Sequence, residues 1–148
     1  LHQKRKDLSK IQIIEFSILF IILNYLQIAS NKLEELSEIE FLSEKNESLK
    51  SIIISCLTDG KDKDIINSKI NNAYNQILEE IKENSNIQMI TKNKNDENVS
   101  LMLEELIQDH KEQSNLRKIE SLEQKLINNL DETSYSELIK LKSQLNRD

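Results

Sequence analysis

The chain has a single glycine, Gly60, and no proline among its 148 residues. These two residue types most often interrupt helices or supply tight turns, and the rest of the chain is rich in Leu, Ile, Lys, Glu, Asn and Ser. Because Ile and Asn are not strong helix formers, burial must stabilise the helices more than intrinsic propensity does. The sequence therefore predicts an all-α fold, in which a helical bundle is followed by a long helix and a C-terminal helical hairpin.

The first helix is predicted to run from about Ser9, a suitable N-cap, to about Ile28. Its apolar core, Phe16 to Leu23, is far shorter than the roughly 20 residues that a membrane span requires. Polar residues also interrupt the longer apolar stretch around this core. A helix that is hydrophobic on nearly all sides is typical of the centre of a bundle, and we assign it that place.

Three further helices are predicted before a polar connector. The second is short and amphipathic. The third begins after Ser43 and stops at Asp59-Gly60, where glycine supplies the left-handed closing residue. The fourth is capped by Asp62 or Asp64 and has the clearest 3.6-residue apolar spacing in the chain. The second helix covers Asn31 to Phe41, and the fourth carries apolar residues from Ile65 to Ile81. The connector is Asn84 to Asn98, with Ile87, Met89 and Ile90 as a short apolar anchor or a short extra turn.

One long helix is predicted from about Val99, and it is polar on every face between His110 and Asn115. A helix that is polar all round usually bridges solvent between two packed bodies. Apolar spacing resumes at Leu116, and a last helix, capped at Asp131 or Thr133, ends near Asn146. The sequence therefore predicts two domains, a bundle of residues 1–110 and a stalk with its hairpin of residues 111–148.

The hairpin carries two apolar stripes. A pair of short helices buries too little apolar surface to offset its chain entropy comfortably, so apolar residues left over after pairing indicate a partner protein. An amphipathic helix in an apolar groove is the matching mode of recognition. The stripes are Leu116, Ile119, Leu122, Leu126 and Leu130 in one arm, and Tyr135, Leu138, Leu141 and Leu145 in the other.

No residue pattern in the chain predicts catalysis, a metal or a cofactor. The two histidines are His2, near the terminus, and His110, on the predicted solvated stalk, and neither has ligands at metal-binding spacing. Cys56 lies in an apolar run, where burial is favoured over reactivity. A chain with one glycine has no phosphate-cradling glycine loop. The carboxylates fall on helix faces opposite the apolar stripes, which is typical of solvated surface. We therefore predict that this segment is not an enzyme by itself.

Charge and cysteine content narrow the class of protein further. The formal net charge of −6 disfavours binding to nucleic acid through phosphate contacts, and we interpret the basic run Lys4 to Lys10 as a solvated end. A single cysteine excludes an internal disulfide framework and suits the reducing cytoplasm. The chain begins with Leu1 and not with Met, which we interpret as a sign that it is a fragment.

The order of these helical patterns resembles the C-terminal helicase-binding domain of bacterial DnaG-type primase. The resemblance extends over nearly the whole chain, although each motif alone is an unspecific helix pattern. In the common family pattern a proline follows the asparagine that matches Asn24, and this chain has no proline there. The similar segments are Ile18–Leu26, Leu33–Phe41, Leu49–Leu57, Leu103–Leu106, Asn129–Glu132 and Glu137–Lys142.

The resemblance implies a protein-binding domain and not a catalytic one. In such primases the domain follows a zinc-binding and a catalytic polymerase domain, and its hairpin docks onto the N-terminal domains of the hexameric, DnaB-type replicative helicase. That contact brings primase to the replication fork, where it makes RNA primers. The resemblance also implies a weaker contact, between Lys10 and the acidic tail of single-stranded-DNA-binding protein, although Glu15 stands where another base would suit that contact.

We predict that the last helix makes the helicase contact, because it has more apolar surface than one hairpin partner can cover. In a second arrangement, three leucines of this helix pack wholly against the other arm and leave Ile139 and Lys142 for the partner. Packing inside the hairpin is favoured for most of the leucine stripe. The predicted contact residues are Tyr135, Leu138, Ile139, Leu141, Lys142 and Leu145; the three inward leucines are Leu138, Leu141 and Leu145, facing Leu122, Leu126 and Leu130.

Two other classes of protein remain open. A helicase N-terminal domain or a helicase-loader adaptor would share a similar helical bundle. A structural module that associates with itself through the stripes of residues 116–145 would need no helicase, although its apolar repeat is short for a stable coiled coil.

Overall fold

The computed structural model describes residues 8–128 and 132–145, and every regular element in these residues is an α-helix. The predicted all-α fold is therefore confirmed. Predictions that concern residues 1–7, Leu130, Asp131 and Asn146 lie outside the described residues. The helices are α1 (Lys10–Asn24), α2 (Leu26–Ser30), α3 (Leu33–Glu38), α4 (Glu44–Thr58), α5 (Lys63–Ile70), α6 (Asn75–Glu83), α7 (Ser85–Met89), α8 (Asp96–Asn128) and α9 (Glu132–Leu145).

Helix α1 begins with a capping box at Ser9. The Ser9 hydroxyl accepts a hydrogen bond from the Gln12 backbone N–H at 3.3 Å, and the Ser9 backbone N–H donates to Gln12 Oε1 at 2.9 Å. The helix ends at Asn24, because Tyr25 leaves the helical conformation at φ −131° and ψ 63°. The predicted continuation to Ile28 was wrong. The Asn24 side chain binds the carbonyl of Phe20 at 2.8 Å, a local bond of the kind that competes with helix continuation.

Helix α1 is also the centre of the first bundle, as its sequence predicts. Every residue from Ile14 to Leu19 is buried, which is more than one full helical turn. The helix is therefore covered on all sides, and it contacts α2, α4, α6 and α7. Within the described residues, no helix is both long enough and apolar enough to cross a membrane.

Helix α4 has the predicted signals at both ends. The Ser43 hydroxyl accepts from the backbone N–H of Asn46 at 3.3 Å. Gly60 takes the left-handed conformation at φ +72°, and its N–H donates to the Leu57 carbonyl at 3.1 Å, while the next N–H, of Lys61, donates to the Cys56 carbonyl at 2.9 Å. This pair of bonds is the Schellman motif, which closes a helix on a left-handed residue.

Two predicted helices differ from the structure. The helix expected over Asn31 to Phe41 is shorter, since α3 begins at Leu33 and ends at Glu38. The helix expected from Ile65 to Ile81 is two helices, α5 and α6, separated by a turn at residues 71–74. The consecutive asparagines Asn71 and Asn72, which are weak helix formers, favour the break. The turn nevertheless keeps helix-like hydrogen bonds, such as the one from the Tyr74 N–H to the Ile70 carbonyl, so the apolar spacing continues through it. The predicted cap is confirmed, since Asp62 Oδ1 accepts from the Ile65 N–H at 3.0 Å.

The chain divides into two compact units, residues 1–107 and residues 108–148. The sequence had placed this division after residue 110. The first part of α8 belongs to the first unit, where Val99, Leu103 and Ile107 join the core at four-residue intervals. The helix is capped by Asn95, whose Oδ1 accepts from the Asn98 N–H at 2.9 Å. The second unit contains the rest of α8 and α9.

Candidate functional site

The candidate site lies on α9 in the second unit, where the sequence predicts a protein contact. A small apolar cluster holds α9 to the later part of α8. Its buried members are Ile119, Leu122 and Leu138, and the partly buried Leu126, Leu141 and Leu145 pack against them. The inward side of α9 is thereby occupied within the unit itself.

Five of the six predicted contact residues, all except Lys142, fall into two groups in the structure. Leu138, Leu141 and Leu145 belong to the internal cluster, and Leu138 is only 7% exposed. Tyr135 and Ile139 are 57% and 51% exposed. Leu138 packs inside the hairpin as in the second predicted arrangement, whereas Leu141 and Leu145 are only partly buried and Leu130 lies outside the described residues. The surface that remains available for a partner is therefore the side of α9 that carries Tyr135 and Ile139.

Lys142, the remaining predicted contact residue, forms an ion pair within the second unit. Its Nζ lies 3.2 Å from Oε1 of Glu123 on α8, and both side chains remain about half exposed. An exposed pair of this kind contributes little to stability, but it marks which side of α8 faces which side of α9. Lys142 therefore already has a carboxylate partner within the second unit, the side chain of Glu123.

Two further exposed apolar residues lie on the part of α8 in this unit. Leu116, assigned by sequence to the inner stripe, is 42% exposed, and Ile127 is 76% exposed. Ile127 is not among the residues of the predicted apolar stripe. Its signal was available, because it lies one residue beyond Leu126 and so falls to the flank of the inward stripe.

The second candidate contact lies at the start of α1, where Lys10 and Glu15 differ sharply in exposure. Lys10 is exposed, as the first residue of the helix. Glu15 is 1% exposed, so the prediction that the carboxylates are solvated was wrong for this residue. Its oxygens accept hydrogen bonds from the Leu42 N–H at 2.6 Å, the Ser43 N–H at 3.4 Å and Asn46 Nδ2 at 3.1 Å. Glu15 therefore orders the start of α4.

Lys50 is a second buried charge that sequence reasoning missed. The side chain is 2% exposed, and its ammonium donates to the backbone carbonyl of Ile39, lies 2.6 Å from Oε1 of Glu47 and stands 4.7 Å from the centre of the Phe41 ring. A carboxylate or ammonium inside an apolar run is a signal for such a cluster, because buried charges require partners. Glu47 lies three residues away on α4, but Ile39 and Phe41 come from the loop between α3 and α4, which the local pattern does not reveal.

His110 is also buried, at 1% exposed, which overturns its predicted place on a solvated stalk. Its neighbours Lys111 and Gln113 to Asn115 are intermediate in exposure, so this segment is less solvated than its all-polar sequence suggests.

Among residues 8–128 and 132–145, no three His, Cys, Asp or Glu side chains are grouped so that they could hold a metal ion. Cys56 is free and buried, as predicted.

Comparisons with protein-family models, with curated proteins and with solved structures found no match to this chain. A functional assignment therefore depends on the residues and on the geometry described above.

Proposed function

We propose that the chain is the helicase-interaction domain of a bacterial DNA primase, and that it docks primase onto the DnaB-type replicative helicase during DNA replication. Two features support this. The helical patterns follow one another in the order of that family over nearly the whole chain. A two-helix second unit follows the first, and it presents apolar side chains that it does not bury itself.

The observation that carries the proposal is the contrast between Leu138 and Ile139. Neighbouring residues of one helix are 7% and 51% exposed, so α9 satisfies its own packing and still offers a second apolar side. A large apolar residue next to Tyr135 on an exposed helix side is typical of a protein contact, since aromatic and aliphatic anchors dominate such interfaces. The segment would be non-catalytic, and primer synthesis would belong to a full-length parent working in the bacterial cytoplasm.

The test is a titration of the 148-residue chain against the replicative helicase of the organism from which the chain comes. We expect saturable binding, and we expect Ile139→Asp to weaken it by at least about tenfold, or about 1.4 kcal/mol, while the helical signal in circular dichroism is retained. Gln144→Asp is the matched control, because it adds the same charge to an exposed position elsewhere on α9.

The rival classes predict other results. Sedimentation that shows an obligate dimer, together with no helicase binding, would favour a self-associating structural module. Normal helicase binding by Ile139→Asp would show that this side of α9 is not the contact. A chain that binds primase in place of the helicase would behave as a helicase N-terminal domain, and a polymerase domain preceding this segment in the full gene would argue against both the helicase-like and the loader-like class.

A further inference from the structure

One side of the second unit gathers all the exposed large apolar side chains that its described residues contain. On α8, Leu116, Glu120, Glu123 and Ile127 follow at steps of four, three and four residues. Side chains at these steps lie on one side of a helix. This stripe therefore has an exposed apolar residue at each end and two carboxylates between them.

Helix α9 carries a matching stripe. Glu132, Tyr135, Ile139 and Lys142 follow at steps of three, four and three residues, and all four are exposed. The spacing again places them on one side of the helix. This stripe contributes one carboxylate, one ammonium and the two apolar residues of the candidate site.

The Glu123–Lys142 ion pair joins the two stripes. The antiparallel direction of α8 and α9 follows from their contacts, because the apolar cluster and the Glu123–Lys142 pair hold α9 alongside the last part of α8, which it follows closely in the chain. One turn onward from Glu123 and one turn back from Lys142 lead towards the same end of the hairpin, where Ile127 and Ile139 lie. The two stripes therefore form a single surface. We call it the acidic–apolar face, and it consists of Leu116, Glu120, Glu123, Ile127, Glu132, Tyr135, Ile139 and Lys142.

The charges of this face are unequal. It has three carboxylates and one ammonium, and that ammonium already lies 3.2 Å from Glu123. The exposed lysines Lys118 and Lys125 lie on the other flank of α8, as their spacing from Glu123 shows. Complementary charge fixes which partner surface is accepted and speeds association. A partner suited to this face is apolar at its centre and bordered by lysine or arginine.

We propose that the acidic–apolar face is the complete docking surface, that Ile127 on α8 is a contact residue beside Tyr135 and Ile139, and that the helicase offers it an apolar surface with a basic border. This inference rests on the proposed function for the identity of the partner. On this face Lys142 is paired with Glu123, and the apolar cluster of Ile119, Leu122 and Leu138 holds α9 to α8.

The first test compares Ile127→Asp with Ser121→Asp in titrations of the full chain against the helicase. Both variants add a carboxylate to an exposed position of α8, but Ser121 is on the opposite flank. We expect Ile127→Asp to weaken binding by about tenfold or more and Ser121→Asp by less than about twofold. Ile127→Ser, which adds no charge, should weaken binding in the same direction, and circular dichroism checks that each variant is folded.

The second test concerns the basic border. We expect binding of the unaltered chain to weaken as salt is added, and Glu120→Lys to weaken binding and flatten that salt dependence. If the chain binds but Ile127→Asp and Ile127→Ser bind equally well, α8 is not part of the surface, although the proposed function stands. Tighter binding by Glu120→Lys would overturn the basic border. A chain that does not bind the helicase at all would overturn the proposed function, and this inference with it.

Discussion

The Glu15 carboxylate accepts a hydrogen bond of 2.6 Å from the backbone N–H of Leu42, a residue 27 positions further along the chain. The bond is part of a set, since Glu15 also accepts from Ser43 and Asn46. These donors lie around the start of α4, where backbone N–H groups lack helical partners and the helix dipole favours negative charge. One buried charge on α1 therefore holds the beginning of a second core helix.

Replacing Glu15 should destabilise the first unit strongly. Glu15→Ala leaves three donors without their acceptor, of which Asn46 Nδ2 is buried and the two backbone N–H groups are part-buried. A buried unsatisfied donor costs about 1–3 kcal/mol, so we expect a loss of about 2 kcal/mol or more in the free energy of unfolding. Glu15→Gln keeps one carbonyl oxygen and should lose less. Urea unfolding measures both. Glu79→Ala, on an exposed position of α6, is the control and should change stability by less than about 0.5 kcal/mol. Equal stability of Glu15→Ala and the unaltered chain would contradict this role.

Replacing Lys50 should lower the free energy of unfolding, chiefly because its partners then lose the ammonium that they bind. Lys50→Met removes the ammonium from Glu47 and from the Ile39 carbonyl, and breaking a buried pair from one side typically costs about 3–5 kcal/mol. Because Glu47 is 25% exposed, water can reach it, and we expect a loss near the lower end. The double variant Lys50→Met, Glu47→Gln should recover part of this loss, since no carboxylate is then left unpaired. Urea unfolding of the two single variants and the double variant completes the cycle, and exact additivity would contradict the coupling.

The helix ends that were predicted correctly have local signals. Ser9, Ser43 and Gly60 act on backbone groups within five residues of themselves, so the sequence nearby contains the whole interaction. The break between α5 and α6 was missed for the opposite reason. The turn keeps helix-like hydrogen bonds and the same apolar spacing, so periodicity alone does not distinguish it from a continuous helix.

The burial of these charges could not be predicted because most of their partners lie outside their own helices. Only Glu47, three residues from Lys50 on α4, is a local partner. Glu15 and Lys50 are each bound by the loop between α3 and α4, and in the sequence they resemble ordinary polar interruptions. In the candidate site, spacing within α9 left two arrangements open, and the buried Leu138 beside the exposed Ile139 distinguishes them. The exposure of Ile127 was recognisable from its spacing beside the inward Leu126. That it lies on the same surface as Tyr135 and Ile139 depends on which side of α8 receives α9, a relation between two helices that neither pattern contains.

The ion pair between Lys32 and Glu104 predicts a pH dependence of stability. The side-chain hydrogen bond to Glu104 raises the pKa of Lys32 above its usual 10.5. A base whose folded pKa is raised stabilises the folded state below its unfolded pKa, and this contribution disappears as the pH rises through the folded pKa. The pair should therefore stabilise at neutral pH and cease to do so in strong alkali.

The size of that effect should be small, since Glu104 is 49% exposed and exposed pairs contribute less than about 1 kcal/mol. A double-mutant cycle of Lys32→Met and Glu104→Gln isolates it from the titration of other lysines. We expect a favourable coupling at neutral pH that falls towards zero well above pH 10.5. High salt at neutral pH should also reduce it. A coupling that grows with pH would contradict the assignment.

Leu138 and Ile139 should separate the folding of the second unit from its binding. Leu138→Ala removes a buried member of a small apolar cluster, so we expect a loss of about 2 kcal/mol or more and weaker hydrogen-exchange protection of α9. Ile139→Ala removes a half-exposed side chain and should cost less than about 1 kcal/mol. Both should weaken helicase binding, the first through the hairpin and the second through the contact. Greater loss of α9 protection in Ile139→Ala than in Leu138→Ala would mean that the inward side of the helix has been assigned to the wrong residues.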